Sequence, residues 1–197
     1  MKSQSSITDS DPYFELEWVF GYGSLMWNPG FPFVRRESAC LKGYHRSFCI
    51  YSHHYRGSPE TPGLVLGLDE GGTCEGVAFQ VSGENWSGVV EYLNERELIG
   101  YAYQPAELEV QLTSAHKSVQ TYTFVADPTH PTYAGDLGLE KTAKIIMGAT
   151  GAGGLNRDYL INSIHQLEEH GYRESGLHAL LERVELLTGY IDQGGGI

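Results

Sequence analysis

Trp18-Val19-Phe20-Gly21-Tyr22-Gly23-Ser24-Leu25-Met26-Trp27 opens as an apolar, aromatic run of strand character and then breaks into glycines on either side of Tyr22. Glycine inside a strand weakens it, so this alternation has little use in packing. What glycine supplies is a positive φ and a close approach of the backbone to something else. Successive N–H groups in such a turn can converge into a concavity for an anion, and the Ser24 hydroxyl adds one more donor. Gly23, Ser24 and Leu25 are therefore candidates to present N–H groups to a substrate carboxylate. The plainer alternative is a strand end followed by a tight turn.

Downstream of this strand the pattern stays extended for about a hundred residues. After an irregular loop with Pro29, Gly30 and Pro32, residues 39–52 form a second strand region in which Gly43 marks a bulge or bend. A Pro/Gly-rich loop spans 53–63. Residues 64–68 and 74–81 are expected to pair as a hairpin across Asp69-Glu70-Gly71-Gly72, with Val77, Phe79 and Val81 on one face. Residues 106–113 alternate cleanly, Leu108, Val110 and Leu112 inward, and 118–126 is the antiparallel partner. The last third changes character, with helical patterns over 139–147, 156–170 and 176–187 separated by glycine clusters. Strands first and helices afterwards predict an α+β fold: a mostly antiparallel, curved or barrel-like sheet with flanking helices and a helix-rich C-terminal third. No repeat or linker divides residues 18–190, which read as one domain between a loosely ordered leader, 1–17, and a tail, 191–197.

One helix interrupts the strands, over 84–98, with Ser82 or Asn85 as N-cap and Gly100 as its stop. At about 100° per residue, with Trp86 at zero, Val90 falls near ~40°, Leu93 near ~340° and Glu97 near ~20°. Glu97 thus sits inside the apolar stripe, whereas Glu91 and Glu95 fall on the opposite side, where charges belong. A buried carboxylate is costly to ionise unless paired, so burial should raise its pKa. Glu97 is either a desolvated catalytic carboxylate, a structural partner of Arg56 or Arg46, or a solvent residue beyond an early helix end. An anion concavity together with a desolvated carboxylate is the pattern of a small-molecule enzyme site.

Bulk properties narrow the classes further. The chain has 197 residues, 41% of them hydrophobic, without an 18-residue apolar run, which argues against a membrane span. Its first seventeen residues lack the apolar core of a secretory signal. A net charge of −12 argues against general nucleic-acid binding, which needs a basic face. Cys40, Cys49 and Cys74, odd in number and without C-x-x-C spacing, fit reduced thiols in the cytoplasm, with buried packing as their role. The glycine cluster over 148–154 follows a helical pattern and lacks a Walker lysine, so it reads as a connection between helices with Asn156 as N-cap. His53 and His54 point to opposite faces of an extended chain, and no paired C-x-x-C or H-E-x-x-H is present, so no metal site is expected. Ser24 lacks the G-x-S-x-G setting of a hydrolase nucleophile.

Four segments resemble the ChaC-like branch of the γ-glutamyl cyclotransferase family, in family order from about residue 19 to 187. They are Tyr22-Gly23-Ser24-Leu25, followed by Trp27, Pro29 and Gly43-Tyr44-x-Arg46-x-Phe48; Arg56-Gly57-Ser58-Pro59-Glu60-x-Pro62-Gly63; Tyr92-Leu93-x-x-Arg96-Glu97; and Gly151-x-Gly153-Gly154-x-Asn156-x-x-Tyr159-Leu160. Asp158 stands where the family usually has glutamate. The resemblance implies cleavage of glutathione to 5-oxoproline and cysteinylglycine without cofactor or metal, and Glu97 falls in the segment that carries the family's catalytic glutamate. It further implies that 23–25 hold the glutamyl carboxylate, with Arg56 and Tyr22 as second substrate contacts, joined by Tyr101 or Tyr103. Another γ-glutamyl amine or conjugate as substrate, or a binding module without turnover, are the alternatives. A pure binder would have no use for a desolvated base.

Overall fold

The computed structural model describes residues 17–98, 102–114 and 116–192. Five strands close into a barrel in the order β1-β3-β2-β4-β5: β1 (Glu17–Gly21), β2 (Arg35–Ser52), β3 (Gly63–Val81), β4 (Tyr103–Leu112) and β5 (Ser118–Ala126). Four of the five seams are antiparallel. An odd number of strands cannot alternate direction all the way round, so one seam must be parallel; it is β1 against β5, through Val19 and Tyr122.

The sheet is covered on both faces, and the alternation along β1 shows how. Trp18 and Phe20 join Tyr22, Ala39, Leu41, Leu68, Val110 and Leu112 in a cluster supplied by the strands and their ends, which fills the barrel. Val19 points the other way, to Val77 and Phe79 and the helices outside. Those helices are α1 (Gly83–Glu97), α2 (Leu139–Gly148), α3 (Asn156–Glu169) and α4 (Ser175–Asp192). The predicted α+β class and its barrel-like sheet are what the chain adopts.

Two expectations need correction. The hairpin expected across 69–72 does not form, because β3 runs unbroken from Gly63 to Val81 and pairs with β2 along its length. The reversal lies instead in the 53–62 loop, which joins Ser52 to its partner Gly63. Gly71 and Gly72 do take positive φ, +98° and +71°, but they face Gly43, φ +87°, at a register shift in the opposite strand. Paired glycine irregularities bend two long strands together, which is how a small barrel coils its sheet. The Gly43 bulge read from the sequence is part of that bend.

The glycine cluster before α3 is also more than a connection. Thr150–Gly151 and Gly154–Leu155 pair as a short hairpin, β6 and β7, whose Ala152 and Gly153 N–H groups donate to His54 and Tyr55 carbonyls at 2.8 Å. A Cβ on Gly151 would lie 2.4 Å from the His54 oxygen, so only glycine allows this contact. Leu155, not Asn156, occupies the N-cap of α3. Asn156 is fully buried; its amide accepts from Leu64 N–H at 2.7 Å and donates to Leu64 C=O at 2.8 Å. It thereby fixes α3 to the start of β3.

Cys49 and Cys74 are buried and unpaired, and burial pushes their thiols up to about 12 and about 11; Cys40 is half-buried and free. Among the described residues no helix is long and apolar enough to cross a membrane. The leader expected over 1–17 lies outside the described residues except for Glu17, which pairs with Val81 in β1. Of the 191–197 tail, only the end of α4 is described.

Candidate active site

Where β1 ends, the chain turns through Tyr22 and Gly23 into a single 3-10 turn, Ser24–Met26. Met26 N–H returns to Gly23 C=O at 2.9 Å and Asn28 N–H to Ser24 C=O at 2.8 Å. Leu25 and Met26 are buried beneath the turn, while Ser24 is exposed. A short helical turn leaves its first N–H groups without internal acceptors. Among the described residues, the N–H groups of 23–25 have no acceptor.

Helix α1 approaches this turn with its C-terminal end. Val89 and Leu93 bury its apolar stripe against the outer face of the sheet, and Asn94 accepts from the Tyr122 hydroxyl at 2.7 Å. Glu91 and Glu95 are exposed, as their angular positions require, and Glu97 is half-buried at the end of the stripe. Burial raises its pKa above the ordinary 4.5, and Arg96 opposes that only in part. The ion pair weighed against Arg56 or Arg46 is formed with Arg96 instead, Nε to Oε1 at 3.1 Å.

Arg96 is the residue that sequence reasoning passed over. Its Nη1 donates to Asn28 C=O at 2.8 Å, Pro29 C=O at 3.3 Å and the Tyr92 hydroxyl at 3.1 Å; its Nη2 donates to Ser24 Oγ at 2.8 Å. One guanidinium thus fastens the end of α1 to the turn after β1 and sets Glu97 beside it. Because Ser24 Oγ accepts from Arg96, its own proton is free to be donated elsewhere. The Tyr92/Arg96 spacing of four on a helix was the available signal.

Tyr22, Gly23, Ser24, Leu25, Leu66, Glu97, Tyr103, Phe124 and Tyr159 line one cavity of about 50 Å³. Leu66 and Phe124 supply apolar wall, which accounts for the cost of charging Glu97. Tyr22 and Tyr103 have pKa values raised well above 10, first by burial and then by neighbouring groups that include Glu97, so both remain neutral hydroxyls. Tyr103 donates to Leu66 C=O at 2.5 Å. The expected site residues Tyr22, Gly23, Ser24, Leu25, Glu97 and Tyr103 therefore meet in one place. Arg56 does not line the cavity: it stands behind Tyr159, its guanidinium 5.1 Å from the ring centre, and donates to Gly153 C=O. Tyr101 lies outside the described residues. Among the described residues no group of three or more side chains is placed to hold a metal ion.

The model of the ChaC-like protein family matches residues 17–187, a span that contains every element of the site. The chain belongs to the ChaC-like family. Among its ChaC-like relatives, a glutathione-specific γ-glutamylcyclotransferase of Escherichia coli is 36% identical over 170 residues, covering 86% of this chain and 73% of that protein. The human glutathione-specific γ-glutamylcyclotransferase 1 is 36% identical over 156 residues, 78% of this chain and 69% of that one. A crystal structure of a yeast γ-glutamylcyclotransferase specific to glutathione superposes with a TM-score of 0.74 at 25% identity, covering 86% of this chain and 96% of that one. The ChaC-like fold therefore accounts for the barrel and helices alike.

Proposed function

We propose that this ChaC-like chain is a γ-glutamylcyclotransferase that cleaves glutathione to 5-oxoproline and cysteinylglycine. The observation that carries the proposal is the shared cavity of Glu97 and the turn at 22–25. The relatives named for activity on glutathione set the substrate class.

The chemistry asks little of the protein beyond these parts. The α-amine of the glutamyl group attacks its own γ-carbonyl; the new C–N bond closes a five-membered ring and the amide bond to cysteine breaks. No water is consumed. Because the nucleophile is already tethered, the protein's main contribution is to hold the glutamyl chain folded in a near-attack shape. The N–H groups of 23–25 bind the α-carboxylate, and the Ser24 hydroxyl adds a donor.

A free α-amine has a pKa near ~8 and arrives mostly protonated. Glu97 takes that proton and returns it to the departing cysteinyl nitrogen, as base and then acid. A carboxylate with its ordinary pKa is a weak base for this exchange; the apolar wall that raises it improves the match. Tyr22, held neutral, can donate a hydrogen bond without competing for protons; the Tyr103 proton is committed to Leu66 C=O, so its hydroxyl oxygen offers only an acceptor. Arg56 supports the wall through Tyr159. The reduced, buried thiols fit a cytosolic setting.

Purified protein incubated with glutathione, and separately with γ-glutamyl-alanine, tests the proposal by chromatography for 5-oxoproline. Release from glutathione alone is expected. Release from γ-glutamyl-alanine alone would place the substrate among other γ-glutamyl amines, and release from neither would refute turnover of either.

A further inference from the structure

Arg46 has its side chain entirely removed from solvent, midway along β2. Burying a guanidinium is costly unless every donor is met, and here the acceptors come from the turn after β1, from β3 and from the segment before α4. Nε donates to the Tyr22 carbonyl at 2.5 Å. Nη2 reaches the Glu75 carbonyl at 2.5 Å and lies 3.8 Å from Met26 Sδ. Nη1 pairs with Glu174, just before α4. Arg46 and Glu174 both line a second cavity of about 250 Å³, which shares no residue with that of Glu97.

The bond to Tyr22 matters because of what lies across the same peptide. The Tyr22–Gly23 bond is trans, as are all the described peptide bonds. In a trans peptide the C=O and the following N–H point in opposite directions within one plane. An arginine that holds the Tyr22 oxygen from one side therefore turns the Gly23 N–H to the other, away from Arg46, and Gly23 lines the Glu97 cavity. A cation on the carbonyl also polarises the peptide and makes its N–H a stronger donor. We propose that Arg46 is a positioning residue for carboxylate recognition: by holding the Tyr22 carbonyl it aims and strengthens the Gly23 N–H toward the substrate's α-carboxylate. The inference rests on the γ-glutamyl reading above and names the device behind it.

A purely structural Arg46 would weaken the protein and affect all substrates alike, so the test compares two. Glutathione is set against 4-aminobutanoyl-cysteinylglycine, which has the same amine and amide but lacks the α-carboxylate, and the ratio of their kcat/KM values is measured. In the native protein glutathione is expected to lead by about a hundredfold. Arg46→Lys, which cannot keep the forked contacts, is expected to lower that ratio about tenfold or more through KM for glutathione. Glu174→Gln keeps an acceptor for Nη1 but removes its negative charge, so the ratio is expected to rise severalfold; this variant decides the matter if Arg46→Lys fails to fold. Ratios within twofold of native in the folded variants would overturn the proposal. A native protein that turns over glutathione without preferring it over the analogue would refute carboxylate binding at 23–25 itself, and a native protein inactive on both would refute the activity.

Discussion

Glu97→Gln changes one atom type at the centre of the site, and its consequences can be worked out in advance. The amide has the size of the carboxylate and still offers Oε1 to Arg96 Nε, now 3.1 Å away, so the turn at 22–25 should keep its place. What is lost is the base of the proposed mechanism. Proton transfer by a positioned group contributes about 10²–10⁴-fold, or ~3–5 kcal/mol of barrier at ~1.4 kcal/mol per decade. Turnover should fall by at least a hundredfold while KM for glutathione stays within about threefold. Stability should move the opposite way. Burial raises the Glu97 pKa in the folded chain, so the native state binds this proton more tightly than the unfolded one. The stabilisation from Glu97 is then present below the ordinary carboxylate range and lost as pH rises through the raised value. The amide never ionises, so the variant should melt at or above the native temperature at pH 7. Single-turnover release of 5-oxoproline, calorimetric titration with glutathione and thermal melts measure the three quantities. Turnover within tenfold of native would remove Glu97 from the chemistry. A melting point well below native would mean that the ion pair with Arg96, not desolvation, dominates there.

Arg96→Leu removes the cation that partly lowers the Glu97 pKa, so the acidic limb of kcat against pH should move to higher pH; an unmoved limb would show that the limb is not Glu97. Asn156→Leu leaves both the N–H and the C=O of Leu64 without their buried partner, and denaturant unfolding should show a loss of about 2–6 kcal/mol. Gly63→Ala puts a Cβ 2.0 Å from the Arg56 carbonyl oxygen, backbone that cannot easily give way, and the same measurement should show a loss of about 3 kcal/mol or more.

What could be read from the chain was local or periodic. The opening strand, expected over 18–22 and found at Glu17–Gly21, the alternation of Leu108, Val110 and Leu112, and the placement of Glu97 in the stripe of α1 each follow from a single element's repeat. Asp69-Glu70-Gly71-Gly72 has the composition of a turn, yet whether positive-φ glycines reverse a strand or bend it depends on what lies opposite. Gly43 in the neighbouring strand decides that, and a local pattern cannot show the pairing. Asn156 looks like a helix cap until Leu64, 92 residues earlier, is seen to need both of its amide atoms. Arg96 and Arg46 were hidden for the same reason. Their value lies in carbonyls of the turn after β1, and a cation's acceptors in distant loops leave no periodic trace.

The depth at which Cys49 and Cys74 sit has a chemical meaning under the proposed activity on glutathione, a thiol metabolite. With thiols held near 12 and 11, the thiolate fraction at pH 7 is about 10⁻⁵ and 10⁻⁴. Attack on a disulfide requires the thiolate. Oxidised glutathione meeting this surface would therefore find those two sulfurs inert, and the balance of reduced to oxidised tripeptide would reach the protein as supply of substrate rather than as mixed disulfides at either position.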